Sequence, residues 1–264
     1  MFGLSFEVTA LIGIAFISVM TSLGAGLVFF INKPLSTTFN QVFLGFAAGV
    51  MIAAAVWSLL IPAMEDASNS NLAKWLPPTI GFLLGVAFLL VVDHLLPHLH
   101  LHEDKPEGLK SKFKRTTMLI LAVALHNAPE GLAVGLAFGY ALKLNDPVLL
   151  ASAMGIAIGI GIQNFPEGAA ISLPLREYRV SKKRAFLFGS LSGLVEPLFA
   201  ALGLLMASQM VAIMPWFLGF AAGAMIYVVV EELIPEAQLD AHSHLGTLSF
   251  IAGFLLMMII DGAL

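Results

Sequence analysis

Two short stretches of this 264-residue sequence gather side chains that bind cations: His126-Asn127-Ala128-Pro129-Glu130-Gly131 and Gln163-Asn164-Phe165-Pro166-Glu167-Gly168. In a helix, residues three and four apart share a face, so His126, Asn127 and Glu130 converge, as do Gln163, Asn164 and Glu167. The nitrogen and oxygen donors of His126, Glu130, Gln163 and Glu167 suit a divalent transition metal. Glu196, followed by Pro197, adds a carboxylate. With Asn127 and Asn164 it would let Glu130 and Glu167 bridge to a second ion. The absence of cysteine removes disulfides and thiolate ligands. Pro129 and Pro166 each lack an N–H and crowd the carbonyl four residues back, at Leu125 and Ile162, which predicts kinks with free oxygens beside the site. Gly131 and Gly168 are expected to let the two motif helices approach each other closely.

The elements that position these groups must be membrane spans. Hydrophobic residues make up 59% of the chain and charged ones 11%, and the mean hydropathy is +0.93, far from an ordinary soluble domain. A spanning helix needs about 20 mostly apolar residues. The sequence divides into eight such segments, at about 8–31, 40–64, 75–97, 116–142, 147–175, 185–214, 216–234 and 245–261. The expected fold is an all-α polytopic membrane protein: a single transmembrane domain over 1–264, with the break between segments six and seven at Pro215. The N-terminal stretch lacks a basic leader region and reads as a retained first helix. All but two of the thirteen lysines and arginines lie in the loops after segments one, three and five, the exceptions being Lys74 and Lys143. The positive-inside rule therefore places those loops in the cytoplasm and both termini outside. A net charge of −4, with the basic residues confined to loops, leaves no footprint for nucleic acid.

The sequence also repeats itself. Residues 43–52, FLGFAAGVMI, recur at 217–226 as FLGFAAGAMI, and each copy runs on to an Ile-Pro, at Pro62 and Pro235. The copies fall on segments two and seven, which cross in opposite directions. The two cation-binding motifs fall on adjacent segments four and five. The implied plan is 3+2+3 with an inverted repeat, a layout of secondary transporters whose sites lie near the midplane.

Mid-membrane carboxylates cost about 3 kcal/mol each. Glu130, Glu167, Glu196, Glu231 and Glu232 therefore need neutralising, and no lysine or arginine lies within a span. A bound cation is the simplest answer. Met51 and Ser58, which match Met225 and Glu232 in the repeat, are seven residues apart and would share a face of a regular helix; they are candidates for lining an entrance. Asp93, Glu231 and Glu232, near the cytoplasmic ends of segments three and seven, are candidates for lining an exit. His94, His98, His100 and His102 lead into the cytoplasmic loop 98–115 and are candidate transient metal contacts. The basic cluster from Arg176 is read as a topology determinant.

These motifs, His-Asn-x-Pro-Glu-Gly and Gln-Asn-x-Pro-Glu-Gly on the fourth and fifth of eight segments, resemble the signature of the ZIP (Zrt/Irt-like) metal transporters, in particular the bacterial GufA-type branch. The resemblance implies import of zinc and related divalent metals (cadmium, iron, manganese) through a buried binuclear site. His126, Glu130, Gln163 and Glu167 would hold the first metal; Asn127, Asn164 and Glu196, with the bridging glutamates, would hold the second. Some relatives carry Asp where this chain has Asn164, which implies a weaker second site. The resemblance also implies segments one, four, five and six moving against two, three, seven and eight. It places the chain in a bacterial inner membrane. No enzyme cofactor is expected; the metal is cargo. The glycine- and alanine-rich faces of segments two and seven are candidate homodimer contacts. The opposing class, an intramembrane zinc hydrolase, lacks its His-Glu-x-x-His helix and a third histidine within a span. A proton-coupled carrier of an organic solute would leave the His-Asn and Gln-Asn pairs unexplained.

Overall fold

The computed structural model describes residues 4–31, 36–67, 72–97, 115–176, 180–209, 211–237 and 243–263, and these are helical, with no strand among them. They form eight rods. α1 is Phe6–Ala25, closed by a 3-10 turn at Gly26–Phe29. α2 is Thr37–Ala54, continued through a π segment, Ala55–Leu60, into Ile61–Ala67. α3 is Leu76–Leu95, α4 is Arg115–Leu144, and α5 is Pro147–Ser172 with a 3-10 turn at Pro174–Arg176. α6 comprises Lys182–Ser192 and Val195–Gln209, broken between them at Gly193 and Leu194. α7 is Met214–Val228, a π segment Val229–Leu233, and Ile234–Ala237; α8 is Leu245–Ala263. All the rods but α4 are counted long and apolar enough to cross a membrane, so the chain is a multi-pass, all-α membrane protein.

Helix ends follow local chemistry. Ser5 and Ser36 accept from backbone N–H groups of the first turns of α1 and α2. Asp146 accepts from the N–H groups of Val148 and Leu149 to start α5, and Asn145 before it takes a left-handed φ of 54° that closes the tight α4–α5 turn. The break before α7 differs from expectation. α6 ends at Gln209 and a 3-10 turn, Val211–Ile213, intervenes, while Pro215 sits in the first turn of α7, where its missing N–H costs nothing.

Pro62 and Pro235 do not end their helices, and α2 and α7 run on to Ala67 and Ala237. A π segment precedes each proline, at the same distance from the start of the repeated decapeptide. The wider turn takes up the missing hydrogen bond and the ring's clash with the carbonyl four residues back, at Ser58 and Glu231. One consequence corrects the sequence reading: with a π turn between them, Met51 and Ser58 are no longer two α turns apart. Met51 is fully buried in the apolar core, whereas the Ser58 hydroxyl reaches Asp261 on α8.

The rods pack as four tight pairs: α1 with α5, α4 with α6, α2 with α8, and α3 with α7. Each pair is parallel. Gly131 and Gly135 of α4, for example, meet Glu196 and Ala200 of α6 in ascending order, and Gly81 and Gly85 of α3 meet Trp216 and Phe220 of α7. Exchanging α1 with α6, α2 with α7, α3 with α8 and α4 with α5 maps this set of pairs onto itself, the packing signature of a repeat in three, two and three helices. Gly49 lies against the backbone of Phe250, and its repeat equivalent Gly223 against that of Phe82. The glycine faces of α2 and α7 are therefore occupied inside the protomer by α8 and α3, and a homodimer would have to use other faces. Among the described residues the longest unbroken buried stretch is 129–141 of α4.

Candidate metal centre

The two motifs sit where α4 and α5 cross, and both helices remain α-helical through Pro129 and Pro166. Asn127, Glu130, Gln163, Asn164 and Glu196 are completely buried; Glu167 is partly buried. His126 lies on α4, but its side chain is outside the described residues.

Gln163 donates its Nε2 to Glu130 Oε1 at 2.6 Å, tying α5 to α4. Glu196 is held more fully: Asn127 Nδ2 donates to its Oε1 at 2.9 Å and Asn164 Nδ2 to its Oε2 at 2.8 Å, while Thr21 Oγ1 donates to Oε1 at 3.4 Å. One carboxylate thus links α1, α4, α5 and α6. The amide nitrogens of Asn127 and Asn164 also reach the backbone oxygens of Ser192 and Ile17, each at 3.3 Å. Glu167 lies close enough to both Glu130 and Glu196 for their charges to interact. Among the described residues, no three histidine, aspartate or glutamate side chains stand together as a ready metal cage. The set is mixed, carboxylates alternating with amides.

Four buried acceptors in this cluster have no hydrogen-bond donor among the described residues: Asn127 Oδ1, Glu130 Oε2, Gln163 Oε1 and Asn164 Oδ1. Leaving a buried polar atom unmatched costs about 1–3 kcal/mol, so four in one apolar bundle mark a place built for something electropositive. A small cavity reaches it, lined by Gln163, Pro166, Glu167 and Ala170 of α5 facing Phe39, Phe43, Leu44 and Ala47 of α2.

The glycines of the motifs act differently from expectation. A Cβ on Gly131 would collide with the backbone oxygen of Glu196, and one on Gly168 with that of Thr21. They bring α4 against α6 and α5 against α1, rather than α4 against α5. Close packing onto α6 is what delivers Glu196 to the cluster.

The candidate entrance and exit groups lie apart from this cluster. Ser58 Oγ donates to Asp261 Oδ1 at 2.7 Å and Ser152 Oγ to the same atom at 3.4 Å, joining α2, α5 and α8. Tyr140 of α4 lies beside Asp66 at the end of α2. At the other end of the bundle Asp93 accepts from Tyr227 Oη at 3.4 Å, Glu232 is buried and Glu231 is exposed. His94 is exposed near the end of α3; His98, His100 and His102 lie outside the described residues. Sequence reasoning passed over Thr21 and Asp261. Asp261 was detectable, since it stands eight residues beyond Gly253 as Asp93 stands eight beyond Gly85, two glycines that meet equivalent residues of the decapeptide helices, Phe46 and Phe220. Thr21 carried no signal, being one of four hydroxyls, with Thr9, Ser18 and Ser22, in an otherwise apolar first helix.

A family model described as "ZIP Zinc transporter" matches residues 98–261. "Zinc transporter ZIP11" of Homo sapiens is 37% identical, covering 96% of both chains. "Zinc transporter GufA" of Myxococcus xanthus is 35% identical over 92% of this chain and 94% of its own length. "Zinc transporter ZIPB" of Bordetella bronchiseptica is 36% identical over 88% of this chain and 74% of its own. The relatives extend the likeness through the first three helices, which the family model leaves uncovered, and the buried cage of amides and carboxylates accordingly belongs to a member of the ZIP family.

Proposed function

We propose that this chain imports divalent transition metal ions, zinc foremost, into the cytoplasm through the cluster between α4, α5 and α6, by alternating access. The observation that carries the reading is the set of four buried acceptor oxygens that have no donor among the described residues, amid three carboxylates in an apolar bundle. A divalent cation satisfies such oxygens and neutralises the acids together. The names of the relatives, all zinc transporters, supply the metal class.

In this reading His126, Glu130, Gln163 and Glu167 take the first ion, and Asn127, Asn164 and Glu196 take a second that the glutamates bridge. Both asparagine amides now turn their nitrogens to Glu196. Occupation of the second position therefore goes with rotation of these amides, so that Oδ1 replaces Nδ2 toward the centre. The cavity between α2 and α5 opens on the half of α2 nearer its N-terminus, the cytoplasmic half in the orientation set by the lysines and arginines. Release would follow that side, past Asp93, Glu231, Glu232 and the histidines of loop 98–115, while Ser58 marks the outer approach. We place the protein in the inner membrane of a bacterium with both termini outside, and assign it no enzyme cofactor.

The test is uptake of radiolabelled zinc by liposomes containing the purified protein, with cadmium, iron and manganese as competitors. Zinc should enter down its gradient, and Glu130→Ala and Glu167→Ala should each lower the rate by about 100-fold, the loss of a charged ligand in a dry site. Folded protein that takes up no more zinc than empty liposomes would sink the reading.

A further inference from the structure

Where α6 breaks at Gly193 and Leu194, the helix leaves backbone carbonyls without N–H partners, and α1 supplies the replacement. Ser18 Oγ donates to the Gly193 oxygen at 3.0 Å. One turn along α1, Thr21 is completely buried, with its hydroxyl 3.2 Å from the Ile17 oxygen of its own helix and 3.4 Å from Glu196 Oε1. Thr21 is wedged in place: its backbone oxygen lies against Gly168, and its Cβ, Cγ2 and Oγ1 fill the space that a side chain on Gly193 would need, at 2.7, 2.9 and 2.9 Å. The fit needs glycine on both sides.

The repeat gives this threonine a meaning. Gly131 packs on the backbone of Glu196, and Gly168, its counterpart in the second motif, packs on that of Thr21. Thr21 thus holds on α1 the place that Glu196 holds on α6. One half of the molecule contributes a carboxylate to the centre, and the other half contributes the hydroxyl that orients it.

We propose that Thr21 is a positioning residue for Glu196, and that Ser18 fixes the broken turn of α6 from which Glu196 projects. Two donors bear on Oε1, Asn127 from α4 and, from α1, Thr21, whose one hydroxyl proton is shared with the Ile17 oxygen, while Asn164 holds Oε2. When an ion arrives and the asparagine amides turn over, Thr21 is the donor that stays, and it keeps the carboxylate aimed inward. The proposal rests on reading Glu196 as a ligand of the cargo ion.

The experiment compares zinc uptake kinetics in proteoliposomes for the wild type, Thr21→Val, Thr21→Ser, Ser18→Ala, Glu196→Gln and the Thr21→Val/Glu196→Gln double variant. Thr21→Val keeps the shape and removes the hydroxyl. It should raise KM about fivefold with little change in maximal rate, the effect of one hydrogen bond to a charged group at long range. Thr21→Ser should restore the wild-type KM. In the Glu196→Gln background, Thr21→Val should change nothing further, since its effect runs through that carboxylate. Multiplying effects in the double variant, or a wild-type KM in Thr21→Val beside an impaired Glu196→Gln, would overturn the proposal. Uptake by Glu196→Gln equal to wild type would instead overturn the ligand reading beneath it. If Thr21→Val does not fold, Ser18→Ala decides: a raised KM upholds the proposal and an unchanged one overturns it.

Discussion

At the scale of the residue, what distinguishes the centre is the mismatch between donors and acceptors. Among the described residues Glu196 has three hydrogen-bond donors, and Glu130 has one for two oxygens. Every amide oxygen in the cluster is left over. The asymmetry was invisible in the motifs, which share Asn, Pro, Glu and Gly at equal spacing; it arises because both asparagines turn to a third helix. The glycines set how closely that helix comes, and they define a prediction. Gly168→Ala should destabilise the detergent-solubilised protein by about 2 kcal/mol or more, since its Cβ would strike the α1 backbone. Gly26→Ala, where nothing lies within 4 Å, should stay within about 0.5 kcal/mol of wild type. Thermal unfolding of the two variants side by side checks this, and equal transitions would contradict the packing.

At the scale of the element, the π segments matter most. The sequence placed Pro62 inside the second segment and Pro235 just beyond the end of the seventh, and the structure carries both helices past their prolines by way of a π segment. Hydrophobic periodicity locates a helix but cannot tell a regular turn from a wider one, because both keep the apolar side inward. For the same reason the all-helical, multi-pass character was legible in the sequence, whereas the face presented by Ser58 was not. Ser58 and Asp261 should couple. In a double-mutant cycle with Ser58→Ala and Asp261→Asn, the interaction should be about 1 kcal/mol of unfolding free energy. A cycle that closes at zero would mean that the contact contributes nothing. The break of α6 did carry a signal: Pro197 cannot donate to the carbonyl four residues back, that of Gly193, and the Ser18 hydroxyl of α1, at a sequence distance of 175, donates to it instead.

At the scale of the whole molecule, the repeat is the most legible feature of the sequence and also organises the packing. Residues 43–52 and 217–226 announced an inverted pair, and the four parallel helix pairs obey the same exchange. What the repeat could not announce was which helices pair, since identical decapeptides say nothing of the partners they meet. Orientation rests on the basic loops and is open to direct test, because the chain contains no cysteine. Single cysteines at Lys183 and at Lys143, in vesicles of known sidedness, should react with a membrane-impermeant maleimide from the cytoplasmic face and the outer face respectively. The reverse pattern would invert the proposed direction of import.

Rod length has a consequence of another kind. α3 and α8, of 20 and 19 residues, expose large apolar side chains such as Leu83, Leu90, Leu248 and Ile259. At 1.5 Å per residue each is about 30 Å long, the thickness of an ordinary hydrocarbon core. α4, with 30 residues, rises about 45 Å. The short outer rods therefore set the bilayer thickness that the molecule prefers, while the long enclosed one tilts or projects whatever the surrounding lipid. A thicker bilayer strains α3 and α8 first, and their tight pairing passes that strain to α7 and α2. Acyl-chain length of the host lipid is thus a mechanical input to this protein.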